Sequence, residues 1–252
     1  VVSIGDIYKY IDEIAPFEAA MGYDNVGIIV GDSSVQVSNV LVALDATRDV
    51  IAEAKNLSAQ LIITHHPIIF SPIKSIKSGD MVCELIKSDI GLIAAHTNLD
   101  LAPKYGVNVC LAEKLELKGI NSMREFGLIG DLSFEMNTRK FANFVAEKLN
   151  VRGLRFNGIE KDIKKVAVCS GSGGSLVDEA YEYGADAFVL GEIKHHEILR
   201  ANDLRMVVVD VGHFMSENVV VPSLVKILNE RFSDVIFHVS NKCDDMMEYY
   251  VI

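Results

Sequence analysis

Several residue types are scarce in this chain of 252 residues, which has no tryptophan, 5 prolines and 4 cysteines. The cysteines are far apart and form no Cys-X-X-Cys pair, and no secretory segment is evident. We therefore expect reduced thiols in a cytoplasmic protein. No apolar run approaches the roughly 20 residues that a membrane-spanning helix needs, so we expect no membrane partner.

Basic residues are also in the minority, because 24 Lys and Arg stand against 35 Asp and Glu and give a formal net charge of −11. A protein that coats nucleic acid needs clustered basic residues, so this balance argues against such a role. It does not exclude a local anion site whose positive charge comes from bound metal. Hydrophobic residues make up 50% of the chain, which is enough for a substantial core.

Short runs rich in Val, Ile and Leu predict strands, and stretches with helical spacing lie between them. Most of these runs are apolar on both faces, as the strands of a buried parallel sheet are. The predicted strands are Val40–Asp45, Gln60–Thr64, Gly91–Ala95, Lys165–Cys169, Ala187–Leu190, Met206–Val211 and Val235–Val239. The alternation predicts an α/β fold with largely parallel sheets, in which ligands collect at the carboxyl ends of the strands.

The order of these elements repeats along the chain. Asp45 and His65 follow two successive strands and lie 20 residues apart, and Gly171 and Gly191 have the same separation and setting. Either the two halves are related by duplication, or they look alike only because both alternate strands and helices.

This repetition predicts two similar α/β units. We place the first at 1–123 and the second at 124–252, with the junction near Asn121–Met136 and a metal site in the cleft between the units. In the alternative division, the C-terminal segment returns to the first unit.

The pair His65-His66 comes directly after a predicted strand and is followed by Pro67. Adjacent side chains on a regular strand point to opposite faces, so the two rings serve one site only if the backbone turns there. Otherwise they bind different metal ions. Pro67 helps to end the regular ladder. We interpret the pair as metal ligands, and a histidine pair in a surface loop is the alternative.

Two further histidines each precede a carboxylate by four residues. These pairs are His96 with Asp100 and His213 with Glu217. On a helix, this spacing puts both side chains on one face. Imidazole nitrogen and carboxylate oxygen together suit Zn, Mn, Fe or Ni. A buried histidine or a helix cap is the competing interpretation of each pair.

Six segments, in this order, resemble those of one known family. They are Asp24–Asp32, Thr64–Pro67, His96–Asp100, Cys169–Ser175, Gly191–His196 and Asp210–Glu217. The family is the NGG-interacting-factor-three-like proteins, also called the dinuclear metal-centre, hexameric family, whose bacterial members are often labelled GTP cyclohydrolase I type 2 homologues. Two positions depart from the family pattern. Tyr23 stands where Trp is frequent, and Tyr105–Val109 lacks one Gly and the second acid of a Gly-Gly-x-Asn-Asp motif.

The resemblance implies two neighbouring divalent metal ions and a ring-shaped homohexamer. Carried over residue by residue, the ligands are His65, His66, Asp100, His213 and Glu217, with Glu217 as the bridge between the ions. The metal stays open among Zn, Mn, Fe and Ni. Two divalent cations against two carboxylates leave about two positive charges, which would attract an anionic substrate such as a nucleotide.

Three residues near these ligands are candidates for catalysis. His96 is a hydrogen-bonding neighbour of the ligands, a proton-transfer group or a neutral core histidine. Glu192 stands where His66 stands in the repeat and is either a general base or a helix cap. His195 and His196 are predicted to be helical, and we take His196 as the catalytic candidate.

The glycine-rich segment Ser170–Ser175 follows a strand and precedes a helix. Its backbone N–H groups suit an anion, but a tight strand–helix turn explains the same residues without a ligand. It matches neither a dinucleotide fingerprint nor a lysine-bearing phosphate loop. Both interpretations stay open from the sequence.

These features predict a metal-dependent hydrolase that acts on a nucleotide or another phosphate-bearing substrate, because two metal ions lower the pKa of bound water and stabilise oxyanion charge. The family label specifies GTP ring opening. Two alternatives belong to other classes of protein. One is a ring-shaped nucleic-acid-binding protein, and the other is a metal-dependent interaction scaffold without turnover.

Overall fold

The computed structural model describes residues 1–124, 126–248 and 250. In this part of the chain the strands are β1 (Val2–Ser3), β2 (Gly27–Val30), β3 (Gln36–Val37), β4 (Asn39–Ala43), β5 (Leu61–Thr64), β6 (Gly91–Ala94), β7 (Lys118–Ser122), β8 (Leu128–Asn137), β9 (Arg155–Phe156), β10 (Asp162–Cys169), β11 (Ala187–Leu190), β12 (Val207–Asp210) and β13 (Ile236–Val239). The helices are α1 (Ile4–Ile14), α2 (Arg48–Asn56), α3 (Met81–Lys87), α4 (Thr97–Asp100), α5 (Val107–Lys114), α6 (Thr138–Leu149), α7 (Val177–Glu182), α8 (His195–Asp203), α9 (His213–Glu217) and α10 (Val220–Arg231).

The chain divides into two compact units. The first combines Val1–Gly106 with Val220–Asp244, and the second is built on Val107–Val219. The predicted boundary between residues 123 and 124 would separate β7 from β8. These strands are antiparallel neighbours in one sheet, so they belong to the same unit. The expected junction at Asn121–Met136 is wrong for the same reason, since those residues belong to this hairpin. The segment after α9 returns to the first unit, as in the alternative division.

The first unit is built on a five-stranded sheet in the order β13-β4-β5-β6-β2. Strands β13, β4, β5 and β6 run parallel, and β2 pairs antiparallel with β6. Every residue of β5 and β6 is buried, as their continuous apolar sequences predict. Two helices of this unit begin with side-chain caps, because Ser3 caps α1 in a capping box with Asp6 and the Thr47 hydroxyl accepts from Val50 N at the start of α2.

The second unit contains a six-stranded sheet in the order β7-β8-β10-β11-β12-β9. Its central strands β10, β11 and β12 are parallel, and the flanking pairs are antiparallel. Alternate residues of β10 and β11 pack into two different hydrophobic clusters, one around Phe141 and one around Phe188. The predicted α/β class is confirmed, with a largely parallel sheet in the first unit and a mixed sheet in the second.

All seven predicted strands are present, but the antiparallel strands were not predicted. Strand β8 has a glycine, an aspartate and a glutamate among its 10 residues, so its sequence carries no clean apolar run. Strands β1, β3 and β9 have two residues each, which is too short for a periodicity to be recognised.

No helix within the described residues is long and apolar enough to cross a membrane. Among the described residues, Cys83, Cys110, Cys169 and Cys243 form no disulfide bond.

Asp186 precedes β11 and fixes the start of the parallel pair β10–β11. Its Oδ2 accepts hydrogen bonds from the backbone N–H of Lys164 (3.1 Å) and Lys165 (2.9 Å), and its Oδ1 lies 3.0 Å from Lys161 Nζ. Burial raises the pKa of Asp186, but these hydrogen bonds and the lysine charge outweigh it and hold the pKa below the ordinary value of 3.8.

We expect Asp186→Asn to lower the free energy of unfolding by about 1–3 kcal/mol at pH 7, because charge-assisted hydrogen bonds are lost. Since the folded-state pKa is lowered, the wild-type advantage is complete above the unfolded-state pKa and disappears as the pH falls through the folded-state value. Urea denaturation of both proteins from pH 7 to pH 3 measures this difference. Asp178→Asn is the control, because Asp178 pairs with Arg200 on the exposed surface. A difference in the free energy of unfolding between Asp186→Asn and wild type that does not change with pH would contradict a lowered pKa of Asp186.

Candidate metal-binding sites

In the first unit, three histidine rings meet beyond the carboxyl ends of β5 and β6. The ring centroids of His65 and His66 are 5.0 Å apart, and that of His96 lies 5.1 and 5.4 Å from them. The backbone turns after β5, because Thr64 Oγ1 donates to His66 O (2.8 Å) and His66 N donates to Leu44 O (3.0 Å). This turn brings two adjacent side chains to one place.

Each of these three rings is fixed through Nδ1. The acceptor is Ala95 O for His65 (2.9 Å), Asp45 Oδ1 for His66 (2.8 Å) and Asp24 Oδ1 for His96 (2.9 Å). When Nδ1 carries the proton, the lone pair of the neutral ring is on Nε2, which is the common arrangement in metal-binding histidines.

The side chain of Asp24 is fully buried, with 0% exposed, whereas that of Asp45 is 41% exposed. Its Oδ2 also accepts from Thr97 N (3.0 Å) and Thr97 Oγ1 (2.6 Å). Burial raises the pKa of Asp24, but the hydrogen bonds from Thr97 and His96 outweigh it and leave the pKa below its ordinary value. Asp24 is therefore an ionised anchor for His96. No local sequence pattern links Asp24 to His96, because the two residues lie 72 positions apart.

Asp100 ends α4, and its Oδ1 lies 3.6 Å from Nε2 of the buried His65. His96 is the residue before α4, with φ −108° and ψ −107°, so its backbone is not helical. The rule that i, i+4 side chains share one helix face therefore does not apply to His96 and Asp100.

In the second unit, His213 is placed between two carboxylates beyond the ends of β11 and β12. Its Nδ1 lies 3.0 Å from Glu192 Oε1 and its Nε2 lies 3.0 Å from Glu217 Oε2. Here both members of the i, i+4 pair belong to one helix, α9. The hydrogen bond to Glu217 raises the pKa of His213 above its ordinary value, and the charge of Glu192 adds to this effect.

Glu192 is held by two partners. Ser172 Oγ donates to Glu192 Oε2 (2.7 Å), and His213 Nδ1 contacts Oε1. The hydrogen bond from Ser172 is the main cause of the lowered pKa of Glu192. A carboxylate in this position orients the imidazole and favours its metal-binding nitrogen. The predicted role of Glu192 as a general base remains a prediction.

The glycine-rich segment 170–175 packs closely against Glu217. Gly171 has φ +60°, and a Cβ there would collide with the Glu217 carboxylate. Its N–H donates to Ser216 Oγ (2.9 Å), and the N–H of Ser170 donates to Asn108 Oδ1 (2.7 Å). Because these N–H groups are used within the protein, the geometry favours the tight turn over an anion-binding loop.

His195 and His196 are exposed in the first turn of α8. Among the described residues, neither belongs to a cluster of possible metal ligands. The catalytic role of His196 thus remains a prediction that the geometry does not support.

The donor atoms fit a metal ion. The ligand nitrogens of His65, His66 and His96 all lie within 4.8 Å of one another. Nitrogen ligands about 2.1 Å from one ion are roughly 3.4 Å apart in a tetrahedral site, so small side-chain rotations close the difference. The first unit therefore has histidines that can hold a metal. His96 is a possible ligand here, as its spacing from Asp100 in the sequence also suggests, although the family resemblance does not include it in the ligand set.

Comparisons with known proteins show the family to which this chain is related. The family model Duf34/NIF3 (NGG1p interacting factor 3) matches residues 2–245. A Clostridium perfringens protein named GTP cyclohydrolase 1 type 2 homolog is 36% identical, with 98% of this chain and 100% of the relative covered. A Campylobacter jejuni protein of the same name is 34% identical over 95% of this chain and 97% of the relative.

A solved structure has the same fold. The Staphylococcus aureus hypothetical protein SA1388 matches with a TM-score of 0.93 and 32% identity over 99% of both chains. The family match spans nearly the whole sequence, and the resemblance drawn from the six segments is confirmed. The chain belongs to the Duf34/NIF3 (NGG1p interacting factor 3) family.

Proposed function

We propose that this protein is a metal-dependent hydrolase of nucleotides or other phosphate-bearing substrates. The observation that carries the proposal is the repeated contact between an imidazole Nδ1 and a fixed acceptor, with a carboxylate as the acceptor for His66, His96 and His213. This contact recurs around metal-binding histidines, where it sets the tautomer and the ring orientation. The names of the relatives at 36% and 34% identity support a nucleotide as the substrate.

The proposed ligands of two divalent ions are His65, His66, Asp100, His213 and Glu217. Imidazole nitrogens with carboxylate oxygens suit Zn, Mn, Fe or Ni. When bound, such ions lower the pKa of water and stabilise negative charge on the substrate.

The residues around the ligands have separate tasks in this proposal. Asp45 and Glu192 orient His66 and His213, and the buried Asp24 keeps His96 in place. His96 is then either a further ligand or a group that moves a proton at Nε2, since its Nδ1 is held by Asp24. In the hydrolysis that the relatives' name suggests, water adds to the imidazole carbon of the purine, a carbon–nitrogen bond of that ring breaks, and a proton from the water goes to the released nitrogen.

The charge balance is compatible with an anionic substrate. The chain has a formal net charge of −11, but two divalent ions against the carboxylates of Asp100 and Glu217 leave about two positive charges at the ligands. A phosphate group is therefore attracted locally even though the exterior repels polyanions such as nucleic acid.

Assembly and location belong to the same proposal. We infer a homohexamer from the family resemblance, and the molecular mass in solution measures it. The lack of disulfide bonds among the described cysteines suits a reducing compartment, which supports a cytoplasmic location.

A metal-dependent interaction protein without turnover is the second candidate function, because the family description names an interacting factor. Under this alternative, Glu217→Gln abolishes partner binding, and the wild-type protein itself has no hydrolase activity. A nucleic-acid-binding ring would instead bind single-stranded DNA with strong salt dependence, against the acidic balance of the chain.

We expect His66→Ala and Glu217→Gln to lose most of the bound metal while the chain stays folded, because each removes a donor atom and leaves the cores intact. Elemental analysis of the purified proteins and circular dichroism measure the two properties. His238→Ala is the control, because His238 lies in β13 and contacts Asn39. Full retention of two ions by both ligand variants would refute the ligand set.

Asp45→Asn is expected to weaken metal binding about tenfold to hundredfold without abolishing it, because His66 keeps its ligand atom but loses its charged acceptor. Competition with a chelator measures the affinity. Asp49→Asn is the matched control, since Asp49 is an exposed residue of α2. Equal affinities for all three proteins would show that Asp45 does not orient the ligand.

The function itself is tested by incubating the metal-loaded protein with GTP, other nucleotides and phosphodiesters. We expect turnover of at least one of them, and a loss of about a hundredfold or more in Glu217→Gln because the activated water is lost. Chromatography of the products identifies the bond that breaks. An absence of turnover with every substrate and several metals would favour the interaction protein.

A further inference from the structure

Two aromatic rings are exposed beside His96 in the first unit. Tyr23 is 63% and Phe70 is 52% exposed, and their ring centroids lie 6.3 Å apart. The Phe70 ring is 6.4 Å from the ring of His96. Aromatic side chains stabilise a protein mainly when they are buried, so a neighbouring pair left in water next to possible metal ligands calls for an explanation.

Both rings are attached to the histidine cluster through the dipeptide Asp24-Asn25. Tyr23 directly precedes Asp24, whose carboxylate accepts from His96 Nδ1. Asn25 Nδ2 donates to the carbonyl of Ile69 (2.6 Å), the residue before Phe70. One short segment therefore positions both aromatic residues relative to His96. A binding face that is ordered before its ligand arrives loses less conformational entropy on binding.

We propose that Tyr23 and Phe70 form a stacking face for the planar ring of a nucleobase, with the phosphate end of the same nucleotide directed to the histidine cluster. The proposal rests on the proposed function and adds the part of the substrate that is recognised. Aromatic side chains stack on any base, because every base has a π-face. The two rings are inclined by 50°, so a base stacks on one ring and meets the edge of the other.

A nucleobase fits this face better than a purely aliphatic group does. The tilted rings and the adjacent imidazole offer π-faces and edges, which favour a flat aromatic ligand over a flexible chain. The phosphate of a nucleotide supplies the negative charge that the proposed metal site requires. The exposed Ile73 and Ile76 lie on the same loop as Phe70, so contact with another protein chain is the outcome that the test must distinguish.

The experiment measures equilibrium binding of GMP and of ribose 5-phosphate to the metal-loaded full chain. We expect Tyr23→Ala and Phe70→Ala to weaken GMP binding about 5- to 100-fold, the range found when a stacking ring is removed. Binding of ribose 5-phosphate, which has no base, should change less than about twofold by the same argument. Phe70→Tyr and Tyr23→Phe keep the rings and should keep wild-type affinity.

Two controls separate stacking from general damage. Phe134→Ala removes an aromatic side chain of the second unit that is 64% exposed, and it should leave both affinities unchanged. Phe70→Leu keeps apolar bulk without a π-face, and it should bind GMP as weakly as Phe70→Ala. Metal content is measured for every variant. This measurement tests the proposed ligand set separately from the stacking face, which is tested by the binding of GMP.

The proposal is overturned if GMP and ribose 5-phosphate lose affinity equally, if GMP binding is unchanged in both alanine variants, or if wild-type protein binds the two ligands equally well. A change of oligomeric mass in the alanine variants with unaltered GMP binding would assign the face to contact between protein chains.

Discussion

The hydrogen bond from an imidazole Nδ1 to an acceptor beyond a neighbouring strand is the interaction on which both donor sets depend. A histidine side chain has two rotatable bonds, and a hydrogen bond at Nδ1 limits the rotation of its ring. Asp45 fixes His66, Asp24 fixes His96, and Glu192 fixes His213. Each bond also decides which nitrogen carries the lone pair. The strands bring the residues near each other, and these acceptors make them suitable for metal chemistry.

The parts of the fold that are predictable from sequence are those in which both faces of a strand are buried. Strands β5 and β11 consist of four consecutive buried residues, so the hydrophobic run and the strand coincide. The sequences of the antiparallel flanking strands are less constrained by burial, because only some of their residues are buried. Strand β8 alternates buried and exposed residues unevenly and includes Gly130, whose missing side chain allows close contact with Lys118 O. Such a strand is defined by its partner across the sheet, which a sequence does not reveal.

The same limit explains what was missed around the histidines. The residues after β5 and β12 could be identified because parallel strands deliver their carboxyl ends to one edge of a sheet. Asp24 reaches that edge from the opposite direction. It precedes β2, which runs antiparallel to β6 with Gly27 opposite Ala94, so the start of β2 lies beside the end of β6. Without β2 in the prediction, Asp24 could not be assigned to His96.

The pairs His96–Asp100 and His213–Glu217 have the same i, i+4 spacing, but the two histidines occupy different positions relative to the strand before them. Ala94 and Asp210 occupy equivalent places, because Ala95 N donates to Thr64 O as Val211 N donates to Leu190 O. By this alignment His96 corresponds to Gly212, and His213 lies one position further along. His213 is therefore inside α9 and meets Glu217, whereas His96 precedes α4 and binds Asp24 instead. The partner of each histidine follows from where its helix begins, and an i, i+4 spacing alone does not determine it.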